Sequence, residues 1–270
     1  MRAMTHRTDE ELLAAAVRAA ETAGRVIVAR STDRGVAYKN DAEPVTQGDL
    51  LADRAILETL RAAFPDVPVL SEESGDGEPP DLHGPVWVVD PIDGTANYAR
   101  GHPYVSVSVA YAEEGVTRAA AVCAPFLGET FTAALGKGAR LNGRPINVGS
   151  PGELRRSVVS TGFPHMRSDL GPLLKRIELL LTHCQDIRRA ASPALDICWV
   201  GAGRLDAHTE TLHPWDVAAA SLVAREAGAV RGHLVPVPDG VPADLFGGGF
   251  LVSAPEVHDD LMALLTEVGG

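Results

Sequence analysis

Cysteine is scarce in this 270-residue chain: Cys123, Cys184 and Cys198 are an odd number, widely separated, and no Cys-x-x-Cys pair occurs. That excludes a disulfide framework and a thiolate zinc site, and it suits a reducing compartment. Long apolar runs are also missing. None approaches the roughly 20 residues that a membrane-spanning helix needs, and Met1 to Arg7 leads into a charged, helix-like segment rather than a signal peptide. A cytoplasmic location is therefore expected. Positive charge is short as well, with 24 Lys and Arg against 36 Asp and Glu, a formal charge of -12. Such a surface repels a nucleic-acid backbone and an anionic membrane, so neither is expected as a partner. An anionic small substrate would be repelled too, unless bound cations mediate its binding. No internal repeat or low-complexity tract occurs.

What remains is a chain that is 45% hydrophobic and long enough to bury a substantial core. Apolar residues from Leu12 to Ile27 share one helical face, which predicts a helix over Glu10–Ala29. A second is predicted from Thr46, an N-cap with Asp49 three residues on, to just short of Pro65. Between Tyr104 and Val148 the pattern becomes β: Val105, Val107 and Val109 alternate with small or polar residues, and three Gly-containing separators read as hairpin loops of an antiparallel meander. After Ser150-Pro151-Gly152 the spacing predicts a strand at Ser157–Thr161, helices over Leu170–Thr182, Ala194–Ala202 and Asp216–Ala227, a strand at Phe250–Val252 and a closing helix. The result is a mixed α+β chain with a change of pattern near residue 150.

Acidic residues stand at three places where the chain changes direction: Glu72 and Glu73 after a strand, Asp90 and Asp93 after another, and Asp216 behind Pro214-Trp215 at a helix start. Each has an ordinary explanation by itself. Asp216 could simply cap its helix, and Asp, Pro and Gly are common turn residues. Asp90 and Asp93 add geometry, because Pro91 stiffens the link between them and Gly94-Thr95 opens a segment whose free amides can face an anion. Carboxylate, carbonyl and water ligands suit a hard cation such as Mg²⁺, whose shell is completed by substrate phosphate oxygens. A helix N-terminus after Gly94 would add N–H groups and a favourable dipole for that phosphate.

Three blocks carry a resemblance: Ser71-Glu72-Glu73-Ser74-Gly75, the run Trp87-Val88-Val89-Asp90-Pro91-Ile92-Asp93-Gly94-Thr95-Ala96-Asn97-Tyr98, and Pro214-Trp215-Asp216 with Glu226-Ala227-Gly228 after it. In this order and spacing the chain resembles the inositol monophosphatase family of magnesium-dependent, lithium-sensitive phosphomonoesterases over nearly its whole length. The resemblance implies a layered α/β/α/β/α fold, one catalytic unit over 1–270 with an N-terminal portion of about 1–150 and a C-terminal portion of about 151–270, and a homodimer. It implies two or three Mg²⁺ per site: Glu72, Asp90 and the Ile92 carbonyl around one, Asp90, Asp93 and Asp216 around a second, with Asp90 bridging. It also implies that Gly94 and Thr95 bind phosphate, and that Asp49, in a block formed by Lys39 and Val45-Thr46-Gln47-Gly48-Asp49, orients Thr95. Thr95, Glu72 and a metal would then position and deprotonate the attacking water.

The match thins where substrate would be chosen. In the family a Glu seven residues before the helix-leading Asp often meets substrate hydroxyls. Here Thr209 holds that position and Glu210 follows it, and a one-residue shift in an extended segment turns a side chain to the other face. Ala191-Ser192-Pro193-Ala194 also departs from the usual Gly-Ser/Thr-Ala-Ala, and Pro193 removes a backbone donor. Ser192 and Glu210 are nonetheless the expected substrate contacts, with Asp93, Gly94, Thr95 and Asp216. The substrate class is a small polyol, sugar or related monophosphate, with histidinol phosphate and a nucleotide 3′-phosphate as alternatives. Arg188 and Arg189 read as solvated surface charges, and His208 and His213 as loop residues. Two rivals stand beside this reading. Haloacid dehalogenase-like phosphatases use a nucleophilic Asp, but their two Asp lie two apart, whereas Asp90 and Asp93 lie three apart. A family-shaped binding or regulatory protein would be marked by lost ligands, and Glu72, Asp90, Asp93, Thr95 and Asp216 are all present.

Overall fold

The structure, a computed structural model, describes residues 7–39, 43–74, 80–163, 170–266 and 268, without the side chains of residues 39 and 43. Gly75, the last residue of the Ser71–Gly75 block, therefore lies outside the described residues, as does the Lys39 side chain. Helix α1 (Asp9–Ala29) opens with a reciprocal capping box between Thr8 and Glu11. It buries Leu12, Ala15, Ala16, Ala19, Ala20, Ala23 and Ile27, a face of mostly small side chains that lets the helix lie close on a sheet. A short hairpin of β1 (Ala37–Lys39) and β2 (Glu43–Val45) leads to α2 (Gln47–Ala63), which is opened by the Thr46–Asp49 capping box. Next come β3 (Val69–Ser71), its parallel neighbour β4 (Val86–Asp93) and the six-residue α3 (Thr95–Arg100).

From β5 (Ser106–Glu113) through β6 (Val116–Ala124), β7 (Glu129–Ala134), β8 (Ala139–Leu141) and β9 (Arg144–Pro145) the chain is the antiparallel meander that the alternation predicts. Its first hairpin turns at Glu114-Gly115, both with positive φ, the conformation whose twist matches that of paired strands. These strands make a seven-stranded sheet ordered β3-β4-β5-β6-β7-β8-β9.

The second half runs β10 (Val158–Thr161), α4 (Gly171–His183), β11 (Asp186–Arg188), α5 (Pro193–Gly201), β12 (Ala207–Glu210), α6 (Pro214–Glu226), β13 (Val230–His233), β14 (Phe250–Ser253) and α7 (Pro255–Thr266). Its sheet has the order β11-β10-β12-β14-β13. Strands β1, β2, β11, β12 and β13 escape sequence reading because each has three or four residues, too few to show an alternation, and their residues are mostly polar or glycine.

Strand alternation sorts the core into layers. Trp87, Val89, Val107, Val109, Tyr111, Ala119 and Ala121 face α1 and α2. Val86, Val88, Ala110, Ala112, Ala120 and Val122 face α5 and α6, which on their other side meet Phe250 and Val252 of the second sheet. Val159, Ala207 and Leu251 then face Leu180 of α4 and Val257, Leu261 and Leu265 of α7. Five layers result: helices, seven strands, helices, five strands, helices. With both faces of β4 covered, all eight of its residues are buried, which explains why it reads as an unbroken apolar run before Asp90. Among the described residues no helix is long and apolar enough to cross a membrane.

Candidate active site

In a regular strand, residues three apart face opposite ways. The register of β4 against β5 shifts between the pairs Asp90–Ser108 and Asp93–Ser106, so one extra residue is accommodated on β4. This bulge, formed at Pro91-Ile92, re-aims the chain and lets both carboxylates reach one point. There they meet Asp216 of α6, and each of the three offers an oxygen within 4.8 Å of the others. Asp90 is 2%, Asp93 3% and Asp216 9% exposed.

Each carboxylate is held by its own donors. Asp93 Oδ2 accepts from Ser106 Oγ (3.0 Å), Ser192 Oγ (2.5 Å) and the Ala194 amide (2.9 Å). Asp90 Oδ1 accepts from the Ile92 amide at 3.0 Å. Asp216 Oδ2 accepts from the His213 amide at 2.8 Å, closing a capping box around α6; its capping place and its place in the cluster are compatible, one side chain serving both. Burial drives Asp93 up to about 6 against its hydrogen bonds from Ser192 and Ser106. Burial also raises Asp90, where the charges of Glu72, Asp93 and Asp216 add to it, and raises Asp216, with Asp93 as the next cause.

Buried like charges of this kind cost several kcal/mol each unless compensated. A cation removes that cost, and a donor set of carboxylate oxygens fits a hard divalent ion. Glu72, half-buried in the loop after β3, forms a hydrogen bond with Asp90, so its carboxyl sits at the edge of the cluster.

Gly94 carries the chain from β4 into α3 with φ of 95°, a left-handed conformation that favours glycine. Space demands it as well, since a Cβ there would stand 2.9 Å from the Ala191 carbonyl. The first intrahelical bond of α3 joins the Tyr98 amide to Gly94 O, which leaves the amides of Thr95, Ala96 and Asn97 without a partner in the helix. With six residues, α3 is too short for the favourable dipole expected of it; what it offers an anion is free N–H groups. Thr95 Oγ1 lies 3.0 Å from both Asp49 Oδ1 and Ile92 O, so its single proton is shared between them. The other Asp49 oxygen accepts from the Thr46 amide (2.7 Å) and hydroxyl (2.5 Å).

Along β12, Ala207 and Thr209 face the α4–α7 side, whereas His208 and Glu210 face α5, with His208 Nδ1 3.8 Å from Asp196 and Nε2 3.6 Å from Glu210. Glu210 therefore does not turn away from the site. Glu210 stands close enough to affect both Asp93 and Asp216. Burial pushes Glu210 up to about 8, against the nearby Arg189 charge. Ser192 has no exposed surface, and its hydroxyl donates to Asp93 Oδ2. His208 is a buried strand residue, not a loop residue, lowered to about 3 by burial and by Arg176. His213 is the N-cap of α6 and stacks on Trp215, with centroids 4.8 Å apart. Arg188 pairs with Asp186 at the surface, but Arg189 lies over the Phe163 ring at 5.1 Å and acts on Glu210.

Several site residues escaped the sequence reading. Asn97 Nδ2 donates to the carbonyls of Tyr104 (2.8 Å) and Ala190 (2.6 Å), tying α3 to the segment that carries Ala191 and Ser192. Tyr104 donates to Asp196 at 2.7 Å. Asn97 stands inside a recognised block and could have been found there; Tyr104 and Asp196 give no signal in one sequence.

Comparison with known proteins agrees over nearly the full length. The inositol monophosphatase family profile matches residues 8–268. The protein named Nus factor SuhB from Pasteurella multocida (strain Pm70) is 36% identical over 258 residues, covering 93% of this chain and 94% of that protein. An IMPase structure from Thermotoga maritima is 34% identical with a TM-score of 0.80, covering 93% of this chain and 94% of its own. The inositol monophosphatase structure from Anabaena (Nostoc) sp. PCC 7120 is 32% identical with a TM-score of 0.82 and 96% coverage of each.

Proposed function

The chain belongs to the inositol monophosphatase family, and from that premise we propose that it is a Mg²⁺-dependent phosphomonoesterase for a small polyol, sugar or related monophosphate of the inositol-1-phosphate kind. One observation carries the reading: three carboxylates from β4 and α6, far apart in sequence, are buried with oxygens within 4.8 Å of one another. Glu72, Asp90, the Ile92 carbonyl, Asp93 and Asp216 would hold the two or three cations. When bound, these would neutralise phosphate oxygens and make a water more acidic.

The chain's own residues do the rest. Gly94 and Thr95 bind the phosphate oxygens turned toward α3, through the amides that open the helix. Thr95, with its proton directed to Asp49 or to Ile92 O, offers a lone pair to the attacking water and orients it, and Glu72 flanks that water from the other side. Glu210 accepts a hydroxyl of the leaving alcohol, while Asp196, Tyr104 and Arg189 shape the wall around it. A homodimer is part of the same proposal, and light scattering of the purified chain reads it.

The test is a phosphate-release screen over inositol, histidinol, sugar and nucleotide monophosphates with Mg²⁺ and with a chelator. Turnover that depends on Mg²⁺ and disappears in Asp90→Asn, with unaltered circular dichroism, supports the reading. Parent-like hydrolysis by Asp90→Asn refutes the ligand assignment. A second reading is favoured by the name that the Pasteurella relative carries, Nus factor SuhB: a regulatory or assembly member of the family. An inert protein across the panel, together with capture of defined partners from native lysate, would put that reading first. Nucleic acid among the captured partners would also overturn the expectation drawn from charge alone.

A further inference from the structure

Asp49 and Asp53 stand one turn apart on the buried side of α2, 1% and 8% exposed. Asp49 reaches Thr95. Asp53 has no place in the site as described so far, yet both its oxygens are engaged: Oδ1 accepts from Ser71 Oγ and Oδ2 from Ser74 Oγ, each at 2.5 Å. Ser71 Oγ in turn accepts from the Glu73 amide at 3.4 Å. The segment Ser71–Ser74 is thus folded over one carboxylate, and Glu72 lies between the two serines that it holds. Hydrogen bonds to an ionised carboxylate are short and about twice as strong as neutral ones. An ordinary solvated helix acid would leave both oxygens in water.

We propose that Asp53 is a positioning residue for Glu72: by fastening Ser71 and Ser74 to α2 it fixes where the Glu72 carboxylate stands relative to Asp90, and so sets the affinity of the cation that these two share. This rests on the metal-site reading above. Through Asp49 and Asp53, one rigid helix sets the separation of Thr95 and Glu72, the two groups that flank the attacking water. Neither α2 carboxylate needs to touch the cation. Loss of a group that orients a ligand typically weakens metal binding about 10- to 100-fold.

Calorimetric titration of the full chain with Mg²⁺ tests this without any turnover. Asp53→Asn keeps the size of the side chain but replaces one accepting oxygen with a donor. Its Mg²⁺ affinity is expected to fall at least about tenfold, with the Mg²⁺ concentration for half-maximal activity rising in parallel and KM for substrate at saturating Mg²⁺ near the parent value. Asp244→Asn, which disturbs a hydrogen-bonded network to Thr117, Arg225 and Arg231 far along the chain, provides a variant that is destabilised elsewhere; it should melt lower with unchanged Mg²⁺ affinity. If Asp53→Asn behaves like Asp244→Asn, the proposal is overturned. A cycle with Glu72→Gln adds the decisive arm. Asp53→Asn should do little to Mg²⁺ affinity once Glu72 is gone, and full additivity would show that Asp53 acts independently of Glu72. Parent-like Mg²⁺ binding by Glu72→Gln alone would instead count against the underlying metal assignment. Should Asp53→Asn fail to fold, Ser74→Ala, which removes one of the two hydroxyls, is expected to weaken Mg²⁺ binding in the same direction, and an unchanged affinity would refute the proposal.

Discussion

Burying Asp93 should make the metal-free protein lose stability as pH rises, the reverse of an ordinary salt-bridged carboxylate. Its acidity shifts from 3.8 to about 6, chiefly through desolvation, and a shift of that size corresponds to about 3 kcal/mol. The folded state binds more protons than the unfolded chain between these two values. The contribution to stability is therefore fully present below about pH 4 and lost as pH rises through about 6. Asp90 and Asp216, raised by burial first and then by neighbouring carboxylates, act in the same direction. For a chain of this length about 3 kcal/mol is on the order of 6–12 °C in Tm. The assay is thermal unfolding in chelator at pH 4.5, 5.5, 6.5 and 7.5 for the parent and for Asp93→Asn, which removes the titrating group and keeps the shape. The parent should lose stability relative to the variant across this series, and Mg²⁺ should raise the parent's Tm far more at pH 7.5 than at pH 4.5. A parent-minus-variant difference that is flat with pH, or a Mg²⁺ shift equal at both ends, would refute the reasoning.

Three substitutions probe other parts of the site. Gly94→Ala places a Cβ on a left-handed backbone and 2.9 Å from the Ala191 carbonyl; the backbone alone costs about 1–2 kcal/mol, and phosphate release should collapse together with Tm. Ala191→Gly should do the opposite. Ala191 has φ of 67°, and relieving that conformation, less the entropy of a new glycine, leaves a net gain of about 0.5–1 kcal/mol readable by urea unfolding. Ser192→Ala removes a buried hydroxyl from Asp93 and should cost about 1–3 kcal/mol, with KM for substrate less affected than Mg²⁺ affinity, because the hydroxyl donates to a carboxylate proposed to hold the cation.

Much of this was legible in the chain because short-range signals carry it. The N-cap at Thr46, a 3.6-residue apolar rhythm in α1 and a two-residue rhythm in β5 are local patterns, and the Asp90–Thr95 block gains its meaning in company with the blocks at Ser71 and Pro214. What was not legible depends on distance. Ser192 reaches Asp93 across 99 positions, and the bulge that turns Asp90 and Asp93 to one point exists only against β5. Glu210 is the instructive case: a residue count back from Asp216 leaves its direction open, and only the pairing of β12 shows it on the side of His208.

Diffraction from crystals soaked in Mn²⁺, with anomalous difference density located, tests the central claim most directly. Two peaks about 3.5–4 Å apart, lying among Asp90, Asp93, Asp216 and Glu72, are the predicted result. Manganese density elsewhere, with none at this cluster under conditions that support phosphate release, would contradict it.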